Sequence, residues 1–235
     1  MQAERIFVYL YKFVISSLYY KEHQVSYKAN DHYAKKAKKE QYVARSVYKL
    51  IEIDQKYRVL RAGQQVLDLG ASPGSWSQYA TQKIGLTGRL LGVDLKKVFL
   101  SIPNAVFIKG DINILDFGPA LELHGFTEPF DVIISDMAPD TTSSRFTDQM
   151  KSLELCEMAL QTAHRLLKPG GNFVCKIFDS GDAMGLRDEL KKCFKSVQLL
   201  RPKSVQNSSK EFFMIAMGYL KPEIVAEAVG SDSEE

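Results

Sequence analysis

Four short apolar segments, each ending in an aspartate, constrain the fold of this chain more than any other feature. They end at Asp68, Asp94, Asp111 and Asp136. The chain around them alternates in the way that an α/β fold requires, and we predict a doubly wound Rossmann-like sheet of about seven strands with helices on both faces. Because ligands bind outside the carboxyl ends of the strands in such sheets, we expect the four aspartates to line one crevice.

The turn after the first of these segments indicates the kind of ligand. Gly70 and Gly74 are its only glycines and Pro73 removes one backbone N–H, so the G-x-G-x-x-G pattern of a pyrophosphate site is absent. Asp68 would repel a pyrophosphate but suits a cofactor with hydroxyl groups and a cationic amino or sulfonium group. We therefore predict S-adenosylmethionine; a turn that merely connects strand to helix is the alternative. Asp94 follows Gly70 by 24 residues, a spacing suited to binding ribose hydroxyls.

Length and composition fit one large globular domain with extensions. The 235 residues are 45% hydrophobic and 25% charged. We predict a hydrophobic N-terminal extension (1–26), a catalytic domain (27–220) and an acidic, disordered tail (221–235). The three cysteines are widely spaced in apolar surroundings, so we expect no disulfide framework, no metal site and a reducing cytoplasm.

The apolar run Ile6–Tyr20 does not predict a membrane segment. It is shorter than the roughly 20 residues that a bilayer span needs, and Lys12 interrupts it. Glu4 precedes the run and bulky residues follow it, which does not fit a signal peptide. We expect no membrane partner. Two explanations of the apolar run are left: an extension that packs on the domain, or upstream sequence included by a misassigned translation start.

A basic segment between Tyr27 and Leu50 predicts contact with nucleic acid. It carries seven basic and two acidic residues, a local net charge of +5. Placed on one helix, Lys38, Arg45 and Lys49 share a face opposite Val43 and Val47. A basic face interleaved with tyrosines is typical of a phosphate footprint, although a solvated lysine face is equally common. The tyrosines are Tyr33, Tyr42 and Tyr48, and the candidate RNA-binding residues are Lys35, Lys36, Lys38, Lys39 and Arg45.

Lys176 is the most unusual charged residue of the sequence. It stands inside the apolar segment 172–178, which follows a helix-terminating Lys168-Pro-Gly-Gly171. A lysine in such a strand needs an acidic partner or must lose its charge. It is therefore either part of a structural ion pair or a reactive group.

Four motifs together resemble those of the FtsJ/RrmJ-type ribose 2′-O-methyltransferases, and the resemblance covers about residues 27–220. The motifs are Asp68-Leu-Gly-Ala-Ser-Pro-Gly-Ser-Trp-Ser-Gln78, Ser135-Asp-Met-Ala-Pro139, Cys175-Lys-Ile-Phe178 and Ser209-Lys-Glu-Phe-Phe213. In that family a Lys-Asp-Lys-Glu tetrad surrounds the target hydroxyl. The resemblance implies that Lys49, Asp136, Lys176 and Glu211 form this tetrad. With the turn included, the expected cofactor-binding residues are Asp68, Gly70, Ser72, Pro73, Gly74, Trp76, Asp94, Asp111 and Asp136.

The resemblance implies methyl transfer from S-adenosylmethionine to a ribose 2′-hydroxyl of RNA. We expect a uridine in large-subunit (23S) ribosomal RNA, methylated late in ribosome assembly by a cytoplasmic monomer. Lys176 would be the base or proton carrier, with an orienting role left open; Asp136 would position it, and Lys49 and Glu211 would fix the ribose.

Other functions remain as alternatives at this point. Transfer RNA or mitochondrial ribosomal RNA is the alternative substrate. A non-catalytic RNA-binding protein would not need four acids and a buried lysine. A nicotinamide-dependent oxidoreductase would need the dinucleotide glycine pattern, which is absent.

Overall fold

The structure is a computed structural model that describes residues 32–126, 129–205 and 209–221. The predicted N-terminal extension, the start of the basic segment and nearly all of the predicted acidic tail lie outside the described residues. None of the helices in the described part of the chain is long and apolar enough to cross a membrane.

Helices and strands alternate along most of the described chain. The helices are α1 (His32–Lys39), α2 (Val47–Tyr57), α3 (Ser75–Ile84), α4 (Phe117–Leu123), α5 (Arg145–Leu166) and α6 (Ala183–Cys193). The strands are β1 (Gln65–Leu69), β2 (Arg89–Asp94), β3 (Ala105–Lys109), β4 (Phe130–Ser135), β5 (Leu167–Phe178), β6 (Phe194–Leu200) and β7 (Glu211–Tyr219).

The seven strands form one sheet in the order β3-β2-β1-β4-β5-β7-β6. Strands β1 to β5 run parallel to one another, and β7 runs antiparallel to both β5 and β6. The direction of the strand order reverses between β1 and β4. The carboxyl ends of these two strands therefore form the switch point at which such folds bind ligands. The predicted fold class is confirmed.

Two apolar clusters cover the two faces of the sheet. Phe117, Leu160 and Leu190 of α4, α5 and α6 belong to one cluster, and helices α1 to α3 contribute to the other. Neighbouring residues of one strand point to opposite faces, so β1 sends Leu67 into the first cluster and Val66 into the second. The central strands β1, β2 and β4 are buried on both faces, which explains why their sequences are nearly continuous apolar runs. All three cysteines are buried and free.

The prediction of one continuous basic helix through Lys38 and Leu50 is wrong. The chain breaks between α1 and α2, where Gln41 has a left-handed φ of 63° that a continuous helix does not permit. The side chain of Gln78 in α3 stabilises the break: it accepts from the Val43 amide at 2.9 Å and donates to the Gln41 carbonyl at 3.1 Å. These bonds replace the helical hydrogen bonds that the segment gives up.

The break changes which residues share a surface. Val43, expected on the docked apolar face, is 46% exposed. Lys49 lies on the second helix with a side chain only 13% exposed, and so it is not part of the outer lysine surface. Among the described residues of the basic segment, the exposed lysines are those of α1: Lys35, Lys36, Lys38 and Lys39.

The tyrosines of the basic segment pack inward instead of lying on its exposed face. Tyr48 is 3% exposed, and Tyr33 and Tyr42 pack against the same apolar cluster. The Tyr48 hydroxyl donates to Glu40 at 2.8 Å, and Lys36 Nζ lies 4.6 Å from the centre of its ring. Burial, with this bond to Glu40, raises the pKa of Tyr48 well above its ordinary value. The aromatic residues therefore anchor α1 and α2 to the domain.

Candidate active site

Four secondary-structure elements bring the predicted tetrad together at the carboxyl end of the parallel strands. Lys49 comes from α2, Asp136 directly follows β4, and Lys176 lies near the end of β5. Glu211 is the first residue of β7, which reaches this end of the sheet because β7 is antiparallel: Glu211 pairs with Phe178, the last residue of β5. The reversed strand thus supplies the fourth charged group.

The tetrad forms a continuous line of alternating charges. Lys176 Nζ lies 3.0 Å from Asp136 Oδ1 and donates to the Asp136 backbone carbonyl at 2.6 Å. Lys49 Nζ lies 3.8 Å from the same Oδ1 and 2.5 Å from Glu211 Oε1. Asp136 Oδ1 is buried and, although near both ammonium groups, it has no hydrogen bond of good geometry.

Burial makes this arrangement sensitive to the loss of any member. The Lys176 side chain is 5% exposed and the other three are between 12% and 16% exposed. Water screens the charges of these poorly exposed side chains only weakly. Removing one member of the tetrad therefore leaves its ion-pair partner with a poorly compensated charge. The two ammonium and two carboxylate groups can together hold a hydroxyl group and accept or donate a proton.

Contacts between α2 and α3 fix the position of Lys49. The Trp76 indole N–H donates to the Ser46 carbonyl at 2.9 Å, and the hydroxyls of Ser46 and Ser75 are 2.8 Å apart. Trp76 is 3% exposed and its ring lies 5.7 Å from that of Phe213 in β7. The start of α2 is therefore tied to the start of α3, three residues before Lys49.

A cavity of about 730 Å³ lies beside the tetrad, above the carboxyl ends of β1 to β4. It brings together six of the predicted cofactor-binding residues: Gly70, Ser72, Pro73, Asp94, Asp111 and Asp136. The other three, Asp68, Gly74 and Trp76, lie outside its lining. The expectation that the strand-end aspartates meet at one crevice thus describes three of the four.

The aspartates of the cavity are held by the backbone of adjoining loops. Asp94 accepts from the Ser72 amide at 2.8 Å and from the Lys96 amide at 2.6 Å, one bond on each carboxylate oxygen. Asp111 Oδ1 accepts from the Asn113 amide at 2.9 Å. Each carboxylate oxygen can accept more than one hydrogen bond, so both side chains retain capacity for a ligand.

Two other parts of the lining were missed by sequence reasoning. One face of α5 contributes Lys151, Glu154, Leu155 and Met158. Their i, i+3, i+4, i+7 spacing shows that they share a helix face, but nothing in the sequence shows that this face meets the cavity. Met137 closes in on Gly70, where an added Cβ would lie 2.6 Å from the Met137 Cγ. Gly70 also has a φ of 77°, so both space and backbone favour glycine there.

Asp68 lies buried beneath the turn. Its side chain is fully buried, and Oδ2 accepts from the Ser77 hydroxyl at 2.6 Å while Oδ1 has no partner among the described residues. Burial raises the pKa of Asp68 to about 7, and the nearby Asp136 and Asp94 add to the rise against the opposing effect of the Ser77 bond. Asp68 therefore titrates near neutral pH in the folded chain.

This titration predicts a pH-dependent stability that Asp68→Asn should remove. Unfolded Asp68 ionises near pH 4 and folded Asp68 near pH 7, so the folded state binds more protons in between. The free energy of unfolding should consequently fall as the pH rises from about 4 through about 7. Thermal unfolding at about pH 5 and about pH 8 should show a smaller loss for Asp68→Asn than for the parent chain. Parallel curves for the two chains would contradict the assignment.

The comparison of two chains isolates Asp68 from other titrating groups. Burial lowers the pKa of His164, so its contribution to stability is lost as the pH falls through the unfolded value. This effect is common to the parent and the variant and cancels in their difference.

In the described part of the chain, no group of three or more His, Cys, Asp or Glu side chains is placed to hold a metal ion.

The sheet order, with its reversed seventh strand, and the acid-lined cavity beside the tetrad define a Rossmann-like α/β methyltransferase. The sequence model of the family described as FtsJ-like methyltransferase matches residues 42–219. The chain belongs to this family and is a methyltransferase, and the resemblance seen in the four motifs is confirmed.

Relatives of known name cover most of the chain. A protein of Bdellovibrio bacteriovorus named ribosomal RNA large subunit methyltransferase E is 53% identical over 193 residues, which are 82% of this chain and 98% of the relative. A protein of the same name from Nitratidesulfovibrio vulgaris is 48% identical over 193 residues, covering 82% of this chain and 94% of its own length.

Solved structures agree with the sequence relatives. A crystal structure from Plasmodium falciparum, described as a ribosomal RNA methyltransferase, superposes with a TM-score of 0.69 at 28% identity; 76% of this chain and 99% of that chain are covered. A structure from Clostridium thermocellum, described as an rRNA methylase, has a TM-score of 0.51 at 16% identity. It covers 72% of this chain and 97% of its own, and shares the fold alone.

Proposed function

We propose that this chain transfers a methyl group from S-adenosylmethionine to a ribose 2′-hydroxyl of RNA. The observation that carries the proposal is the buried line Lys176–Asp136–Lys49–Glu211 beside the acid-lined cavity. We further propose that the substrate is a uridine of large-subunit ribosomal RNA, that methylation occurs late in ribosome assembly, and that the enzyme is a cytoplasmic monomer. The names of the two bacterial relatives support the choice of this RNA.

The cavity has the chemistry that S-adenosylmethionine requires. Asp94 would accept hydrogen bonds from the ribose hydroxyls, Asp111 would face the adenine amino group, and Asp136 would lie towards the cationic amino acid end. At Gly70 the absence of a Cβ lets Met137 pack directly against the turn. The bound cofactor supplies an electrophilic methyl group on its sulfonium sulfur.

Asp94→Ala is expected to weaken cofactor binding by about 1.5–3 kcal/mol, the usual cost of losing hydrogen bonds to a charged group. The fold should survive, because Asp94 is not part of either apolar cluster. Calorimetric titration with S-adenosylmethionine measures the effect, and Asp188→Ala on the exposed face of α6 is the matched control. An unchanged affinity in a folded Asp94→Ala chain would remove this residue from the cofactor site.

The tetrad residues have separate tasks in the proposed reaction. In-line displacement requires the attacking oxygen to be held in one orientation, and we assign this to Lys49 and Glu211, which would bind the ribose. To act as the base or proton carrier, Lys176 must first release its own proton to solvent; the neutral amine would then accept the proton of the hydroxyl, while the Asp136 carboxylate and carbonyl hold its nitrogen in place. An orienting role for Lys176 is the alternative. The low exposure of the four side chains limits the access of water.

A basic groove leads from the outer lysine surface to the tetrad. It has a volume of about 570 Å³, and its lining includes Lys38, Arg45 and Lys49. Lys49 is thus shared between the groove and the tetrad, which supports an RNA strand entering along this path. Lys36 takes part more weakly, since its amine is 3.9 Å from Glu40 and lies over the Tyr48 ring.

Large ribosomal subunits that lack the modification are expected to be better substrates than the same RNA freed of protein. A patch of a few lysines gives weak, salt-sensitive binding to naked RNA, so the shape of the particle must supply the rest. Methyl transfer at equal RNA concentration compares the two, with transfer RNA and mitochondrial ribosomal RNA as further arms. Equal or faster methylation of the naked RNA would contradict the choice of substrate.

A further inference from the structure

A second groove adjoins the cofactor cavity, and it has no role in the reaction proposed above. Its volume is about 660 Å³, and it shares Ser72, Pro73, Leu95 and Lys96 with the cavity, so the two are separated by the turn after β1 and the segment after β2. We call it the Phe99 groove. The other residues of its lining that matter here are Val43, Lys97, Phe99, Leu100 and Lys109.

The Phe99 groove combines positive charge with an exposed aromatic ring. Three lysines and no acidic residue line it. Within the described part of the chain, Lys97 and Lys109 form no ion pair. Phe99 is 84% exposed, and Lys97 Nζ lies 5.4 Å from the centre of its ring. Cations beside an exposed aromatic side chain are typical of surfaces that bind single-stranded nucleic acid.

Packing of the neighbouring residues holds Phe99 in this exposed position. Leu100 and Val98, on either side of it, lie against Gly74 at the start of α3, in the space that a Cβ there would occupy. Gly74 has a φ of 113°, which also favours glycine. The segment is therefore anchored on both sides of Phe99 while the ring itself remains in solvent.

The groove continues the path that leads to the tetrad. Val43 lines both the Phe99 groove and the basic groove, and the basic groove also contains Lys49. An extended RNA strand whose target ribose lies at Lys49 can therefore pass over Val43 and place a neighbouring nucleotide beside Phe99. The break between α1 and α2 leaves Val43 46% exposed at this crossing.

We propose that the Phe99 groove binds a single-stranded nucleotide next to the target nucleotide of the RNA. The base stacks on the Phe99 ring, and Lys97 and Lys109 contact the adjoining phosphates. This inference rests on the proposed function, because it takes the RNA strand to run through Lys49. Lys96 is set apart from it, since this residue also lines the cofactor cavity.

The first test is kinetic. Phe99→Ala should raise the KM for unmodified large subunits by about 5- to 100-fold, as expected for loss of one base stack, while the affinity for S-adenosylmethionine stays unchanged. Leu123→Ala is the matched control: Leu123 is 79% exposed and ends α4, next to His124, whose carbonyl accepts from Arg89 at the start of β2. Leu123 therefore lies near the amino ends of the strands, away from the Phe99 groove. An unchanged KM in Phe99→Ala would overturn the stacking contact. Unchanged KM with a lowered Tm would assign Phe99 to packing within the chain.

The second test does not depend on catalysis. Binding of a single-stranded RNA of about 12 nucleotides is measured against salt concentration, and a 4-thiouridine in it is photocrosslinked to the protein. The double change Lys97→Ala with Lys109→Ala should reduce the salt dependence by about 1.4 powers, and Lys192→Ala on α6 should not. Crosslinks should map to Phe99. An unaltered salt dependence, or crosslinks confined to α1, would overturn the proposed role of the Phe99 groove, even if methyl transfer to large subunits occurs. Absence of methyl transfer would instead overturn the proposed function alone.

Discussion

Replacing Lys176 with alanine is expected to lower kcat for methyl transfer by about 10²–10⁴-fold, the range typical for loss of a group that transfers a proton. Binding of cofactor and RNA should remain, because Lys176 does not line the cofactor cavity and its side chain is only 5% exposed. Single-turnover transfer of a labelled methyl group at saturating RNA measures the rate constant. Calorimetry with S-adenosylmethionine measures the retained affinity.

Two further variants make the Lys176 result specific. Lys176→Met keeps the length and the apolar stem of the side chain and should be equally inactive. Lys168→Ala is the matched control, since Lys168 lies on the same strand and pairs with Asp131 but is 45% exposed and distant from the tetrad. Turnover near the parent rate in a folded Lys176→Ala chain would refute the proposed role of the tetrad.

Asp136→Asn is expected to lower turnover, cofactor affinity and stability together. Asp136 lies within ion-pair distance of both Lys176 and Lys49, and it also lines the cofactor cavity. We expect kcat to fall by at least about 10²-fold and the affinity for S-adenosylmethionine to fall by about tenfold. The free energy of unfolding should also fall, towards the lower end of the roughly 3–5 kcal/mol that breaking a buried ion pair costs. Kinetics, calorimetry and denaturant unfolding of one protein preparation give the three values.

The pattern across variants separates the two residues. Lys176→Ala should lose turnover and stability but keep its cofactor affinity, whereas Asp136→Asn should lose turnover, cofactor affinity and stability together. Asp140→Asn is the control for Asp136, because Asp140 lines the same cavity but forms no ion pair in the described part of the chain. If Asp136→Asn kept full cofactor affinity, Asp136 would have no part in holding the cofactor.

The architecture followed from local sequence because β1 to β4 are nearly continuous apolar runs that end near an acid. Such runs are what a sheet buried on both faces requires, and the two apolar clusters show this burial directly. The break at Gln41 was not predictable in the same way. It depends on hydrogen bonds from Gln78, which is 37 residues away in the sequence, and helix periodicity in a short segment contains no sign of them.

In the candidate site, too, some residues could be predicted from local sequence and others could not. Lys176 could be singled out from sequence alone, because a lysine within an apolar strand is costly without a partner. Lys49 and Glu211 have no such local signature; their 2.5 Å contact depends on β7 running antiparallel beside β5. Only the motif resemblance indicated them. Trp76 was expected at the cofactor, and the structure instead places its indole N–H on the Ser46 carbonyl, outside the cavity lining.

The measurement that tests the central claim most directly is transfer of a tritiated methyl group from S-adenosylmethionine to unmodified large ribosomal subunits, followed by mapping of the labelled nucleotide. We expect one labelled site, a uridine in the large-subunit RNA whose 3′ linkage resists alkaline hydrolysis because its 2′-hydroxyl is methylated. Label on a base, or no label in any RNA, would contradict the proposed function.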